Sequence, residues 1–326
     1  MKRKLLAVIA IAIPGTLAAC GGGNSGGNNP TSAGTTATCP TGSQTSGGGA
    51  TLSIGSKSFA EEQLMAQMAV DVLGAHGFTV TNTFSAADPA LGKALSTGII
   101  DMYWQYTGTE LTDTGYLNLS AGQFPTDLPG AFAKVKQLDE ARQLCWVAPT
   151  QFDDTNGIAI KASDAAKYGT SLSAFGAYLT SHPKTTVCIQ SEFLTRPDGL
   201  PGLVTTYGWP SAASFHYTQV GSTAEKAIAS GQCAAGEVYT TDSGIEANNE
   251  QTLTDDKNLF PPDNAGLVVR SDVLQKHPSI GAWMTPVAAK LTTTVMLSLN
   301  AMVEIQNQTV ASVAHAWLVQ NGFLSS

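Results

Sequence analysis

The stretch TLSIGSKSFAEEQLMAQMAVDVLGAHGFTVTNTFSAADPALGKALSTGIIDMYW, residues 51–104, decides the fold class. TLSIGS (51–56) is an apolar run of strand length. Residues 59–75 follow with Phe59, Leu64, Met68 and Val72 recurring on one helical face, and Gly77 closes that helix. FTVTNTF (78–84) reads as a second strand, 88–97 as a second helix and IIDMYW (99–104) as a third strand. Strand, helix, strand, helix, strand is a βαβαβ unit, which predicts an α/β domain with a mostly parallel sheet flanked by helices.

A second unit of the same kind begins after Pro183, with strands at 185–190, 214–220 and 234–239 and helices at about 199–207 and 222–230. Two such units predict two lobes. From 271 to 321 the period is helical, and Trp283, Val287, Leu291, Val303, Val310, Ala314 and Trp317 fall on a stripe that reads as core.

Upstream of residue 51 the character changes. Lys2, Arg3 and Lys4 precede an apolar stretch too short to span a bilayer, as in a secretory signal. That leader ends in Leu17-Ala18-Ala19-Cys20, which resembles a bacterial lipobox and predicts a signal peptide at 1–19 with Cys20 acylated. An ordinary signal peptide with a structural cysteine is the plainer alternative. Residues 20–50 hold little besides Gly, Ser, Thr, Asn and Pro, so they cannot bury enough apolar area to order themselves and read as a flexible tether.

The net charge is −8, and loss of the three leader cations takes it to about −11, which argues against nucleic acid as a partner. Beyond Cys20 the cysteines are Cys39, Cys145, Cys188 and Cys233, an even number that outside the cytoplasm points to disulfides. Cys188 and Cys233 lie in strand-like segments of one region and are the favoured pair, which leaves Cys39 for Cys145; buried free thiols are the alternative. No CxxC occurs and the five histidines are scattered, so no metal site is expected.

No GxSxG elbow at a strand end, HExxH, Walker-type GxxxxGK or strand-linked GxGxxG is present, and Asp153-Asp154 and Asp255-Asp256 read as solvated loop carboxylates. Neither an enzyme nor a cofactor is indicated. Three strand ends are more suggestive: Ser56-Lys57-Ser58, Tyr106-Thr107-Gly108-Thr109 and Thr195-Arg196-Pro197-Asp198-Gly199. Strand ends facing a crevice are where open α/β sheets bind ligands, and Lys57, Arg196 and a threonine hydroxyl would make a carboxylate clamp. Unremarkable surface charges are the competing reading of both cations.

SKSFAEEQ, DMYWQYTGTEL, FLTRPDGLPGL, VYTTDSGI and LTDDKNLFPP, in this order over 51–322, resemble the substrate-binding proteins of osmoprotectant ABC importers, which bind glycine betaine, carnitine or choline. The resemblance implies a two-lobed type II periplasmic-binding-protein fold, with lobe 1 at 51–155 plus 261–326 and lobe 2 at 156–260. It also implies that Lys57, Thr109 and Arg196 hold the carboxylate of the ligand. A box of tyrosines would surround a quaternary ammonium, whose methyl groups suit ring faces. Tyr106 and Tyr239 match two positions of that box, whereas Asn156, two residues beyond Asp154, and Asp263, after Pro261-Pro262, stand where tyrosines are usual; on this resemblance Tyr106, Tyr239, Asp154, Asn156 and Asp263 would line the end of the ligand away from its carboxylate. Trp104 and Phe152 read as core, with replacement rings as the alternative.

The function expected is a monomeric, lipid-anchored extracytoplasmic receptor that captures a small zwitterion or polar cation for an ABC permease and its ATPase. Its membrane contact would be through the anchor alone. A betaine-type osmolyte is the first ligand expected. The polar groups of Asn156 and Asp263 keep a ligand richer in N–H or O–H groups, an amino acid or polyol, in view, and a sensor that serves no transport is the other alternative.

Overall fold

In the computed structural model, residues 39–325 are described apart from 114, 121, 192 and 221–223. Cys20, the leader and the first part of the tether lie outside the described residues. No helix among the described residues is long and apolar enough to cross a membrane.

The first unit forms as read: β1 (Thr51–Ser56), α1 (Ala60–Ala75), β2 (Thr79–Ser85), α2 (Asp88–Ser96) and β3 (Met102–Tyr106). Parallel pairing sets β1 between β2 and β3. Leu64, Met65, Met68, Ala69, Val72 and Leu73 of α1 are buried beneath the sheet, each large one stabilising by about 1.5–3 kcal/mol. Phe59 corrects the sequence reading. It is the residue before the helix, with extended backbone, and its ring is 42% exposed instead of sharing the buried stripe. The third strand starts at Met102, and Ile99 is exposed.

The chain continues through α3 (Thr107–Thr112), α4 (Leu128–Glu140) and β4 (Leu144–Val147), then crosses over to β5 (Asn156–Lys161). There follow α5 (Ala165–Tyr168), α6 (Leu172–Ser181), β6 (Val187–Ile189), α7 (Leu200–Tyr207), β7 (Tyr217–Gln219), α8 (Ala224–Ser230), β8 (Ala235–Tyr239), α9 (Ser243–Ala247) and β9 (Glu250–Thr252). A second crossing leads back to β10 (Ala265–Arg270), and α10 (Ser271–Lys276), α11 (Ser279–Ala288), α12 (Thr293–Glu304) and α13 (Val310–Gln320) complete the chain. Asp127, Ser171, Thr292 and Thr309 cap α4, α6, α12 and α13 through side-chain oxygens, each such cap being worth about 1 kcal/mol.

The described residues form two five-stranded sheets with one topology: β2-β1-β3-β10-β4 and β7-β6-β8-β5-β9. In each, the strand that directly follows a crossing, β10 or β5, is the one that runs antiparallel to its neighbours. Each sheet has its own core. Trp104, Phe152 and Trp317 belong to the first, with the Trp104 indole donating to the Met65 carbonyl at 3.0 Å; Phe175, Phe193 and Trp209 belong to the second.

Cys39 is bonded to Cys145, and Cys188 to Cys233, at Cα separations of 5.4 and 5.8 Å. Residues 39–50, tether by composition, lie against the body. Gly47 N–H donates to the His76 carbonyl, Gln44 to the Ala282 carbonyl, and the Trp283 indole to the Thr45 carbonyl. Trp283 is therefore a clasp stacked on His76, with ring centroids 3.3 Å apart, and not the fully buried stripe residue its period suggests.

Candidate functional site

The two crossings run side by side. Asp263 N–H donates to Asp153 Oδ1 at 2.8 Å, Asp154 N–H to the Asp263 carbonyl at 3.0 Å, and the Thr155 hydroxyl to the Pro261 carbonyl at 2.6 Å. They form the floor of a cleft of about 900 Å³ between the two sheets, at the ends of β1, β3 and β8, the position where α/β sheets bind ligands.

Of the predicted residues, Lys57, Tyr106, Thr109, Asp154, Tyr239 and Asp263 come together around this cleft, while Asn156 and Arg196 do not line it. Asn156 is buried at the start of β5, paired in register with Tyr239. Arg196 closes on its own loop, with Nε and Nη2 donating to both oxygens of Asp198 at 3.0 and 2.6 Å.

Lys57 leaves the end of β1 nearly buried. Its Nζ donates to Gln105 Oε1 at 2.9 Å, pairs with Asp88 at 2.9 Å and lies 3.8 Å from Glu62. The same ammonium stands 4.4 Å from the centre of the Tyr106 ring and 5.9 Å from that of Phe59. Tyr106 donates its hydroxyl to Glu61 Oε1 at 2.6 Å, and Asn300 donates to the other oxygen of Glu61 and to the Thr241 carbonyl. Asp263 reaches the start of α3, where Oδ1 accepts from Gly108 N–H at 2.5 Å and Thr109 N–H at 3.3 Å. Gly108 makes room for it, because a Cβ there would stand 2.8 Å from the carboxyl carbon. The Thr241 hydroxyl donates to Asp154, and Tyr239 N–H to Asp242 at 2.7 Å.

The lining is acidic: Glu61, Asp88, Asp154, Glu225, Asp242, Asp263 and Glu304 against Lys57 and Lys226. Burial pushes the carboxyls of Glu61, Asp154 and Asp263 above their ordinary range. Neighbouring carboxylates add to this at Asp154, whereas Lys57 and the α3 N–H groups oppose it at Asp263. Burial and Glu225 raise Asp242 to about 7. A bound cation would draw all four toward their charged forms.

Sequence reasoning missed Phe59 as a cleft residue. Its ring lies 6.2 Å from that of the nearly buried Tyr106, and Phe59, Tyr106 and Tyr239 are the aromatic residues that line the cavity. No local signal marked it, since the helical period runs through Phe59 although α1 starts at Ala60. Trp104 and Phe152 are fully buried and supply no cleft surface.

The family described as the substrate-binding domain of ABC-type glycine betaine transport systems matches residues 50–320. A glycine-betaine-binding protein of Pseudomonas aeruginosa PAO1 is 31% identical over 281 residues, 84% of this chain and 89% of that protein. The glycine betaine-binding protein YehZ of Escherichia coli K12 is 29% identical over 284 residues, 83% and 90% of the two chains. Apo YehZ from Escherichia coli superposes with a TM-score of 0.70 at 27% identity, covering 85% of this chain and 99% of its own. The structure titled glycine betaine/carnitine/choline ABC transporter has a TM-score of 0.72 at 22% identity, covers 83% and 99%, and bears on the fold.

Proposed function

The chain belongs to the family of substrate-binding domains of ABC-type glycine betaine transport systems, and on that premise we propose that it is a lipid-anchored extracytoplasmic receptor. It captures a small quaternary-ammonium osmolyte, of the glycine betaine type, between its lobes and delivers it to a membrane permease and its ATPase. It is a binding component and not an enzyme, as its relatives are. Acylation of Cys20 would hold it at the membrane on a tether.

The observation that supports this best is the set of rings. Tyr106 and Phe59 on one side of the cleft and Tyr239 on the other line a cavity backed by Glu61 and Asp154. Ring faces and nearby carboxylates attract a cation that has no N–H to donate. The Lys57 ammonium over the Tyr106 ring already uses this chemistry. The case for a ligand rich in N–H or O–H groups rested on Asn156 and Asp263. It is weakened because Asn156 lies outside the lining and the Asp263 carboxyl is engaged by backbone N–H groups.

The test is calorimetric titration of the folded chain with glycine betaine, carnitine, choline, proline, amino acids and polyols. Quaternary amines are expected to bind, and Tyr239→Ala to weaken them about 10- to 30-fold, the loss of one desolvated cation–π contact. Binding confined to amino acids or polyols would overturn the reading.

A further inference from the structure

Three groups are expected to receive the carboxylate of a zwitterionic ligand: the Lys57 ammonium, the Thr109 position at the head of α3, and the Arg196 guanidinium. Each is already engaged by a carboxylate of the protein itself. The Lys57 ammonium is held by Gln105 Oε1 and Asp88, both at 2.9 Å, with Glu62 at 3.8 Å and the Tyr106 ring beneath it, so its charge is already met by a carboxylate. The backbone N–H groups of Gly108 and Thr109 both meet Asp263 Oδ1. Arg196 forms its two-pronged bond with Asp198, the arrangement in which a guanidinium binds a carboxylate most strongly.

We propose that Asp88 and Asp263, which line the cleft, are built-in carboxylates that set the charge class of the ligand, so that the cleft ranks trimethylammonium ligands by net charge, a monocation ahead of a zwitterion. The inference rests on the reading of the cleft as a quaternary-ammonium site and adds to it a rule for the other end of the ligand. Two carboxylates cannot share the Gly108 and Thr109 N–H pair without one taking a proton or leaving, because like charges at that distance raise each other's cost. A ligand carboxylate in the cleft must therefore displace Asp263 or break the Lys57–Asp88 pair. A ligand with a hydroxyl at that end displaces nothing and keeps the attraction of the acidic lining. Asp263 has the leading part, since it stands in the cleft itself and Gly108 leaves it the space to do so.

Choline and glycine betaine carry the same trimethylammonium head and differ at the other end, which makes them a matched pair. Both are titrated calorimetrically into the full chain and into Asp263→Asn, Asp88→Asn and Asp198→Asn, with a thermal melt of each variant to establish folding. Choline is expected to bind the unsubstituted chain at least about 10-fold more tightly than glycine betaine, a difference of about 1.4 kcal/mol. Asp263→Asn and Asp88→Asn are expected to move the ratio toward glycine betaine, Asp263→Asn most, and Asp198→Asn, outside the cleft lining, to leave it unchanged. Glycine betaine binding as tightly as choline, or a ratio unchanged in every folded variant of Asp263 and Asp88, would overturn the inference while leaving the quaternary-ammonium site intact. Binding of neither ligand would instead remove that site and this inference with it.

Discussion

In the first sheet the ends of β1 and β3 carry Lys57 and Tyr106 into the cleft, while α1 and α12 bring Glu61 and Asn300 behind them. In the second sheet the equivalent ends, those of β6 and β8, lead to Gln190 and Tyr239. Gln190 N–H turns inward to Glu237 at 2.7 Å, and the following loop folds Arg196 onto Asp198. One topology thus yields two different faces. The first lobe presents a connected set of side chains locked by mutual hydrogen bonds, and the second presents Tyr239 and Asp242 while its strongest cation is held within its own loop. On the proposed reading, the pre-organised half of the receptor is on the first lobe and the second would be the one that closes.

The largest effect expected from breaking this comparison comes from the disulfides. The Cys39–Cys145 bridge of the first lobe spans 106 residues and the Cys188–Cys233 bridge of the second spans 45. On the chain-entropy account their removal costs about 4.8 and about 4.0 kcal/mol. Cys39→Ser with Cys145→Ser should therefore lower the denaturant midpoint more than Cys188→Ser with Cys233→Ser. The reverse order would mean that the second lobe depends more on its staple because its core has less to hold it.

Much of this organisation was legible in the sequence, and the parts that were not share a cause. The βαβαβ units could be read because each parallel strand is a local apolar run beside its own helix. The antiparallel strands escaped notice because their partners are remote: β10 pairs with β3 across some 160 residues, Ala265 opposite Tyr106, and no local pattern records that. At the site, Lys57, Tyr106, Thr109 and Tyr239 could be named from motifs, but their partners could not. That Asp88 meets Lys57 follows from the register of β1 on β2, and that Asp263 meets Gly108 from the return crossing that lays β10 on β3, and neither follows from spacing. Phe59 was misplaced because helical period runs one residue past the true start of α1.

A middle-sized effect concerns pH. Each lobe carries a buried carboxyl raised to about 8, Glu62 in the first and Glu250 in the second, with burial the chief cause in both. Each holds a proton in the folded state that the unfolded chain releases from its ordinary value of 4.5 upward. Its contribution to stability is therefore full below about pH 4.5 and falls as the pH rises toward about 8. The fall is about 1.4 kcal/mol per pH unit and group. Glu62→Gln and Glu250→Gln should each remove one such decline, gaining about 2.7 kcal/mol on the unsubstituted chain between pH 5.5 and 7.5, read from denaturant melts at the two pH values. Glu62→Gln should also alter ligand affinity, and more than Glu250→Gln, since Glu62 lies beside the cleft-lining Lys57 whereas Glu250 is not itself a lining residue. Equal effects of the two on affinity would dissolve the distinction between a locked half and a closing half.

The smallest effect tests where the two lobes stay joined. Ser243 at the start of α9 donates to Glu304 Oε2 at the end of α12 at 2.7 Å, and Asn300 on the same helix donates to the Thr241 carbonyl at 3.1 Å. These bonds sit beside the first crossing, where the Thr240 hydroxyl donates to the Asp153 carbonyl at 2.5 Å. Groups next to a hinge axis move least when lobes close, so the Ser243–Glu304 bond should persist in the open and the closed states alike. Ser243→Ala would then cost about 1 kcal/mol of stability, a fall of about 2–4 °C in melting temperature, and change ligand affinity less than about twofold. A fall in affinity with no change in stability would place this contact on the moving side of the cleft. The second lobe would then be as much a part of the prepared surface as the first.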